Sequence, residues 1–201
     1  MKWFDAKYGA GTIENYQISF KNEASSGVMS SGEISIYPEF DEWRFYFKSG
    51  DATNLVSTSL LNKNEKGTLS YTNTVNSNVV RIQGLYGANK IDFSKWYGNT
   101  IENSVSTVNN VSNINPLPYL KEFILGSASG ITYIQSDQLN SFFKVGNTVL
   151  TPNVETLVLQ NLKGVNGGNV TAFDLDLSFL TKLQSLDLTD TDASVTLPGG
   201  S

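Results

Sequence analysis

The chain has 201 residues with 14 basic and 19 acidic side chains, and it contains neither histidine nor cysteine. These two absences exclude Ser-His-Asp and Cys-His catalytic centres, zinc sites built from Cys or His, and a disulfide framework. A formal net charge of −5, with the lysines and arginines scattered along the chain, argues against a nucleic-acid-binding surface.

Neutral side chains supply most of the polarity, since there are 23 Ser, 17 Thr and 21 Asn. Such residues suit turns and solvent-facing strand positions, and they provide few acids or bases for catalysis. No apolar run approaches the roughly 20 residues that a membrane span needs. The N-terminal residues 1–7 also lack the apolar stretch of a secretory signal. We therefore expect no membrane insertion, and either no export by the secretory route or an export signal that has been removed.

The first 76 residues have the pattern of a β-rich region. Ile34 and Ile36 flank a serine and alternate with polar neighbours, which is typical of a half-buried strand. Trp43, Phe45 and Phe47 share one face of a predicted strand over 43–47, and we expect them to face a core.

From residue 77 onward the chain carries a repeated spacing of apolar residues. Segments beginning at Leu120, Val154 and Leu183 have apolar residues at positions 1, 4, 6 and, in part, 9, and a weaker copy beginning at Ser77 has them at positions 4, 6 and 9. The fourth positions of these segments are Val80, Phe123, Leu157 and Leu186. Short strands repeated in this way bury their apolar faces only when they stack, so the spacing predicts a parallel sheet with one apolar layer.

Some residues between these strands have helical periodicity. The segment 136–144 predicts a short helix with one apolar stripe, formed by Leu139, Phe142 and Phe143. Ser94 and Ser178 follow two similar apolar-Asp-apolar tripeptides, and we interpret both serines as helix N-caps.

The stretch from Leu175 to Ser178, followed by Leu183 to Thr191 and Val195 to Pro198, resembles a leucine-rich repeat. It is similar to the irregular repeats of BspA-like bacterial surface proteins and to repeat segments in large tail proteins of crAss-like Bacteroides phages. The resemblance covers residues 77–201. It departs from the standard repeat at the ninth position, which is Asn or Cys there and is Leu85, Ala128, Leu162 and Thr191 here.

The resemblance and the spacing together predict an α/β solenoid. We expect an irregular leucine-rich-repeat-like parallel sheet with short helices over residues 77–201, preceded by a β-rich N-terminal region over residues 1–76. The resemblance implies a non-enzymatic structural or recognition protein without a cofactor. It implies a virion tail component that mediates assembly or host-surface contact, with other virion proteins or a host receptor or glycan as partners. The alternatives are an extracellular leucine-rich-repeat adhesin of a bacterial cell surface and a carbohydrate-active enzyme.

Two groups of acidic residues suggest chemistry, and both also have a structural interpretation. Glu39, Asp41 and Glu42 lie beside Trp43, as carboxylates of a glycoside hydrolase lie beside a sugar-stacking ring. Because Trp43 is predicted to face a core, we interpret the three acidic residues as part of a turn and Trp43 as part of a core strand. Five aspartates near the C-terminus invite a calcium site, but the spacing of known calcium loops is absent: Asp174, Asp176, Asp187, Asp190 and Asp192. We expect no catalytic residues and no metal.

Four tyrosines are the candidates for ligand or partner binding, because tyrosine combines a large rigid surface with a polar end. They are Tyr86, Tyr97, Tyr119 and Tyr133. The alternative is packing between repeats, which we favour for Trp96 because it aligns with Leu180.

Overall fold

The computed structural model describes only part of the chain. The described residues are 17–22, 31–49, 56–72, 79–96, 100–105, 107–108, 111–112, 116–126, 132–134, 136–166 and 169–199.

Most of the described elements are strands. In chain order the strands are β1 Gln17–Asn22, β2 Ser31–Pro38, β3 Tyr46–Ser49, β4 Val56–Ser57, β5 Gly67–Thr72, β6 Val79–Gln83, β7 Ala88–Trp96, β8 Thr100–Val105, β9 Thr107–Val108, β10 Val111–Ser112, β11 Glu122–Leu125, β12 Thr132–Ile134, β13 Lys144–Val145, β14 Thr148–Val149, β15 Thr156–Leu159, β16 Leu162–Asn166, β17 Asn169–Thr171, β18 Phe173–Asp176, β19 Ser185–Asp187 and β20 Ala193–Thr196. One helix, α1, spans Ser136–Phe143, and a 3-10 turn spans Leu85–Gly87.

Two mixed sheets contain most of these strands. The six-stranded sheet has the order β19-β15-β11-β7-β2-β5, in which β7, β11, β15 and β19 are parallel and the remaining pairs are antiparallel. The eight-stranded sheet has the order β17-β16-β12-β8-β1-β6-β3-β4, and only β8, β12 and β16 run parallel within it. From β7 onward the chain passes from one large sheet to the other and back, with short two-stranded sheets between. Each passage through the other sheet returns the chain to the same end of the first sheet, so successive strands of that sheet are parallel.

One hydrophobic core joins both sheets. Ile91 and Leu157 of the six-stranded sheet and Ile82 and Leu162 of the eight-stranded sheet are all fully buried within one cluster. The predicted helix is confirmed as α1, and its predicted apolar stripe is buried in this core: Leu139, Phe142 and Phe143. The Phe142 ring stacks on Phe123 of β11 with ring centroids 4.5 Å apart.

A turn with the same hydrogen bond precedes each of the four parallel strands in the six-stranded sheet. In every case a backbone N–H donates to the carbonyl three residues earlier: Ala88 to Leu85, Leu120 to Leu117, Val154 to Thr151, and Leu183 to Leu180. The first residue of each turn is buried. The local geometry is therefore repeated, and the spacing found in the sequence reflects it.

The alignment of the fourth positions of the repeat in adjacent strands is correct for three of the four residues. Phe123 lies opposite Leu157, and Leu157 lies opposite Leu186, in adjacent parallel strands. Val80 was assigned wrongly, because it belongs to β6 of the eight-stranded sheet. Ile91 of β7 occupies the expected position beside Phe123.

The predicted α/β solenoid with short helices is wrong. The described residues form twenty strands, one short α-helix and one 3-10 turn, and the sheets are mixed. The physical reason is that the described segments between the strands of one sheet mostly form strands of other sheets, with α1 as the helical exception. These segments are rich in Thr, Val and Asn, and threonine and valine favour extended backbone.

The two predicted helix N-caps are also wrong. Ser94 lies inside β7, and Ser178 lies in a turn. Each serine instead donates its backbone N–H to the aspartate two residues earlier, at 2.8 Å for Asp92 and 3.0 Å for Asp176. The similar tripeptides therefore encode an aspartate turn and not a helix start.

Strand pairing crosses residue 76 in both sheets, since β1 pairs with β6 and β8 and β2 pairs with β7. The division into 1–76 and 77–201 stays a prediction from composition. Trp43 and Phe45 are buried as predicted, although the strand itself begins at Tyr46. The side chain of Phe47 lies outside the described part of the structure.

Candidate functional site

A polar groove of about 300 Å³ lies at the start of β7 and β11 and beside the end of β2. On its solvent-facing side, Tyr37, Lys90 and Glu122 occupy adjacent positions on β2, β7 and β11. Lys90 Nζ lies 2.9 Å from Glu122 Oε1 and 5.3 Å from the centre of the Tyr37 ring. The alternation of the strands determines this row, because the residues next along each strand point into the core.

The side chain of Asn89 links the segments that form the groove. Its side chain is largely buried, and Nδ2 donates to the Pro38 carbonyl at 3.1 Å and to Asn64 Oδ1 at 2.6 Å. Nδ2 also lies 3.2 Å from Glu39 Oε2. Asn64 has a φ of +62°, a left-handed conformation that asparagine tolerates better than most residues. One buried amide therefore connects two loops to the start of β7.

The charges around Asn89 stabilise Glu39 in its ionised form. Burial acts to raise the pKa of Glu39, but hydrogen bonds from Lys63 and Asn89 and the positive charge of Lys121 outweigh this effect and lower the pKa below its usual value. Lys63 Nζ lies 2.6 Å from Glu39 Oε1. The backbone N–H of Lys63 donates to Asp41 Oδ1 at 2.9 Å. Glu39 is thus a charged acceptor in the groove wall.

The acidic residues beside Trp43 do not surround an accessible ring. Trp43 is 5% exposed, and its Nε1 donates to the Gly84 carbonyl at 3.1 Å. Asp41 caps the turn at Lys63, and Glu42 is an exposed turn residue with a φ of +57°. The indole is consequently a core side chain and offers no face for stacking a sugar.

Two of the four predicted binding tyrosines lie together. The rings of Tyr86 and Tyr119 are 5.6 Å apart, edge to face, and the Phe40 ring is 4.8 Å from that of Tyr119. All three side chains are half-buried. Tyr133 lies in β12 with its side chain outside the described part, and Tyr97 lies outside the described residues altogether. Their roles in binding stay predictions.

The C-terminal aspartates are engaged in turns. Hydrogen bonds from the side chain and N–H of Ser178 lower the pKa of Asp176. Equivalent bonds from Thr189, with a further one from Gln160, lower the pKa of Asp187. Within the described ranges, no three Asp or Glu side chains form a group that could hold a metal ion.

The edge strand β19 and the residues that flank it have apolar side chains that are only partly buried. We call Leu183, Leu186 and Leu188 the terminal layer. All three are half-buried, whereas the equivalent residues of β15 and its turn are fully buried: Val154, Leu157 and Leu159. Among the described strands, β15 pairs with β11 and β19 on its two sides, and β19 pairs with β15 alone.

Comparisons with protein-family models, with curated protein sequences and with solved structures find no match to this chain. None of the helices in the described residues is long and apolar enough to cross a membrane. The function must therefore be inferred from the site geometry and from the resemblance in the repeat spacing.

Sequence reasoning identified Glu39 but none of the other groove residues. The available signal was the position of two polar pairs, Asn89-Lys90 and Lys121-Glu122, directly before the buried positions of β7 and β11. These pairs become a site only when the two strands lie side by side, with Lys90 opposite Glu122.

Proposed function

We propose that this protein is a non-enzymatic structural or recognition protein that assembles with other protein subunits through its terminal layer. The observation that carries the proposal is the burial of Leu186. It lies directly opposite the fully buried Leu157, yet it is only half-buried. A partner that covers Leu183, Leu186 and Leu188 removes their remaining apolar surface from water, which stabilises the complex by about 25 cal/mol for each Å² buried.

The backbone of β19 supports this mode of association. Ser185 donates its N–H to the Glu155 carbonyl at 3.0 Å, on the β15 side. In a parallel ladder alternate residues bond to opposite sides, so the N–H and C=O groups of Leu186 face the open edge. An extended segment of a partner can pair with them by strand addition. Because β19 has only three residues, the edge is short, which favours a defined partner over indiscriminate aggregation.

The pKa values of four acidic groups disfavour general-acid catalysis by those groups. Four described carboxyl groups have a pKa below the usual range: Glu33, Glu39, Asp176 and Asp187. For Glu33 the leading cause is the hydrogen bond from Lys66. A carboxyl group that acts as a general acid needs a raised pKa, which is the opposite direction.

The proposed setting is the tail of a virion, and the alternative setting is a bacterial cell surface. The resemblance of the segment between Leu175 and Pro198 to repeats of phage tail proteins and BspA-like surface proteins supports both. In either setting the proposed partners are other protein subunits, and contact with a host surface is a further proposed role.

Cross-linking on intact particles or cells tests the proposal. We expect an amine-reactive reagent to join Lys182, which lies in the turn before β19 and is exposed, to a second protein subunit. We also expect Leu186→Asp to reduce incorporation of the chain into the assembly. Leu60→Asp is the matched control, because Leu60 is 49% exposed in a loop. Normal incorporation of Leu186→Asp, with no cross-link at Lys182, would contradict the proposal.

A further inference from the structure

Lys121 differs from the other two lysines of the polar groove in its partners. Lys63 pairs with Glu39, and Lys90 pairs with Glu122. Lys121 is exposed at the groove, and among the described residues no carboxylate lies within ion-pair distance of its ammonium group. Its charge nevertheless reaches Glu39 and lowers the pKa of that carboxyl. Among the described lysines of the groove, Lys121 is therefore the one whose charge remains available for an anionic group of a ligand.

The remaining groups of the groove alternate between donors and acceptors. The ammonium groups of Lys63 and Lys90 donate hydrogen bonds, and the carboxylates of Glu39 and Glu122 accept them. A hydroxyl group both donates and accepts, so a ligand with several hydroxyls can bond to such a mixed wall. A fully deprotonated phosphate group has acceptors only, so it offers no hydrogen bond to the two carboxylates.

We infer that the polar groove binds one acidic sugar unit, a hexuronate or a similar carboxylated sugar, with its carboxylate on Lys121 and its hydroxyls on Glu39, Glu122 and the paired lysines. The volume agrees with this size, because about 300 Å³ is at the lower end of the range for small-molecule sites. A single sugar fits such a volume better than a large cofactor does.

The groove walls are preorganised, which lowers the cost of binding. The buried Asn89 amide connects Pro38 and Asn64 across the groove floor, and the ion pair between Lys90 and Glu122 lies on adjacent strands. Lys121 is itself anchored, because its N–H donates to the Asn89 carbonyl at 2.8 Å and its own carbonyl accepts from Glu155 at 2.8 Å. Only the exposed end of the Lys121 side chain has to become ordered.

Titration of the full chain with sodium glucuronate, followed by amide chemical shifts, tests the inference. We expect saturable binding with shifts at the amides of Lys90, Lys121 and Glu122, and weaker binding of glucose and of inorganic phosphate. Lys121→Gln is expected to weaken glucuronate binding roughly tenfold or more, since it removes a hydrogen bond to a charged group. Lys121→Arg keeps the charge and should retain most of the affinity.

Lys95→Gln is the matched control, because it removes the same charge from an exposed position near the other end of β7. This variant should bind glucuronate as the wild type does. Absence of saturable glucuronate binding overturns the inference. Equal binding of glucose or phosphate, or an unchanged affinity in Lys121→Gln, overturns it as well. None of these results depends on the terminal layer, so the test is independent of the proposed assembly.

Discussion

Leu157 and Leu186 lie opposite each other on β15 and β19, yet Leu157 is fully buried and Leu186 is half-buried. The two residues have the same side chain and the same position in the repeat. Among the described strands, Leu157 has a neighbouring strand on both sides and Leu186 has one on a single side. The difference in burial therefore shows how much apolar surface a neighbouring strand covers. It also predicts that the same substitution costs more stability at Leu157 than at Leu186.

We expect Leu157→Ala to reduce the free energy of unfolding by about 2–5 kcal/mol, the range for a buried leucine. Leu186→Ala should cost less than about 2 kcal/mol, because water already contacts part of its side chain. Urea unfolding of both variants measures the difference. Equal losses would show that Leu186 is as well packed as Leu157.

Gly87 lies against the Trp43 indole so closely that a Cβ atom there would overlap the ring. We expect Gly87→Ala to destabilise the fold by about 1–3 kcal/mol, since overpacking displaces neighbouring groups. Gly199→Ala is the control, because its added Cβ would meet open space. Thermal unfolding compares the two variants, and similar melting temperatures would contradict the predicted overlap.

Thr151 Oγ1 is fully buried and has no hydrogen-bond partner among the described residues. The equivalent turn positions are leucines, at Leu117 and Leu180. We expect Thr151→Val to stabilise the protein by roughly 1 kcal/mol, because it removes an unsatisfied hydroxyl at almost constant volume.

Thr58→Val provides the opposite control for Thr151→Val. The Thr58 hydroxyl accepts from the Phe45 N–H at 3.2 Å and donates to the Ser59 carbonyl at 2.8 Å. This variant should lose stability in chemical denaturation. The prediction fails if both valine variants shift the unfolding midpoint in the same direction.

The lowered pKa of Glu39 predicts a pH dependence of stability. Its folded pKa lies below the ordinary value of 4.5, so its contribution is present above that value and is lost as the pH falls through the folded pKa. Between about pH 5 and pH 3, Glu39→Gln should therefore lose less stability than the wild type. Denaturant unfolding at several pH values checks this, and parallel pH profiles would show that Glu39 is not involved.

Chelation is expected to leave the melting temperature unchanged. A bound ion would stabilise the native state by mass action, and EDTA would then lower the midpoint. The carboxylates of Asp176 and Asp187 already accept hydrogen bonds within their own turns. A fall of the midpoint in EDTA that Ca²⁺ reverses would instead reveal a metal site.

The apolar spacing of the sequence by itself determined which residues share a row and where the helix lies. Phe123, Leu157 and Leu186 are neighbours across parallel strands, and Leu139 to Phe143 form the buried stripe of α1. These features are local or repeated, and their periodicity can be read from a single chain. The prediction failed for Val80, whose alternating neighbours also fit the strand of the other sheet.

Only the tertiary structure decided that the connecting segments form a second sheet and that a polar groove exists. The side chain of Asn89 bonds to Asn64 and Pro38, which are 25 and 51 residues away in the chain. Lys90 and Glu122 meet because β7 and β11 pair in one particular register. Hydrogen bonds and ion pairs between distant segments leave no period in the sequence, because their energy depends on distances that exist only after the apolar core has brought the strands together.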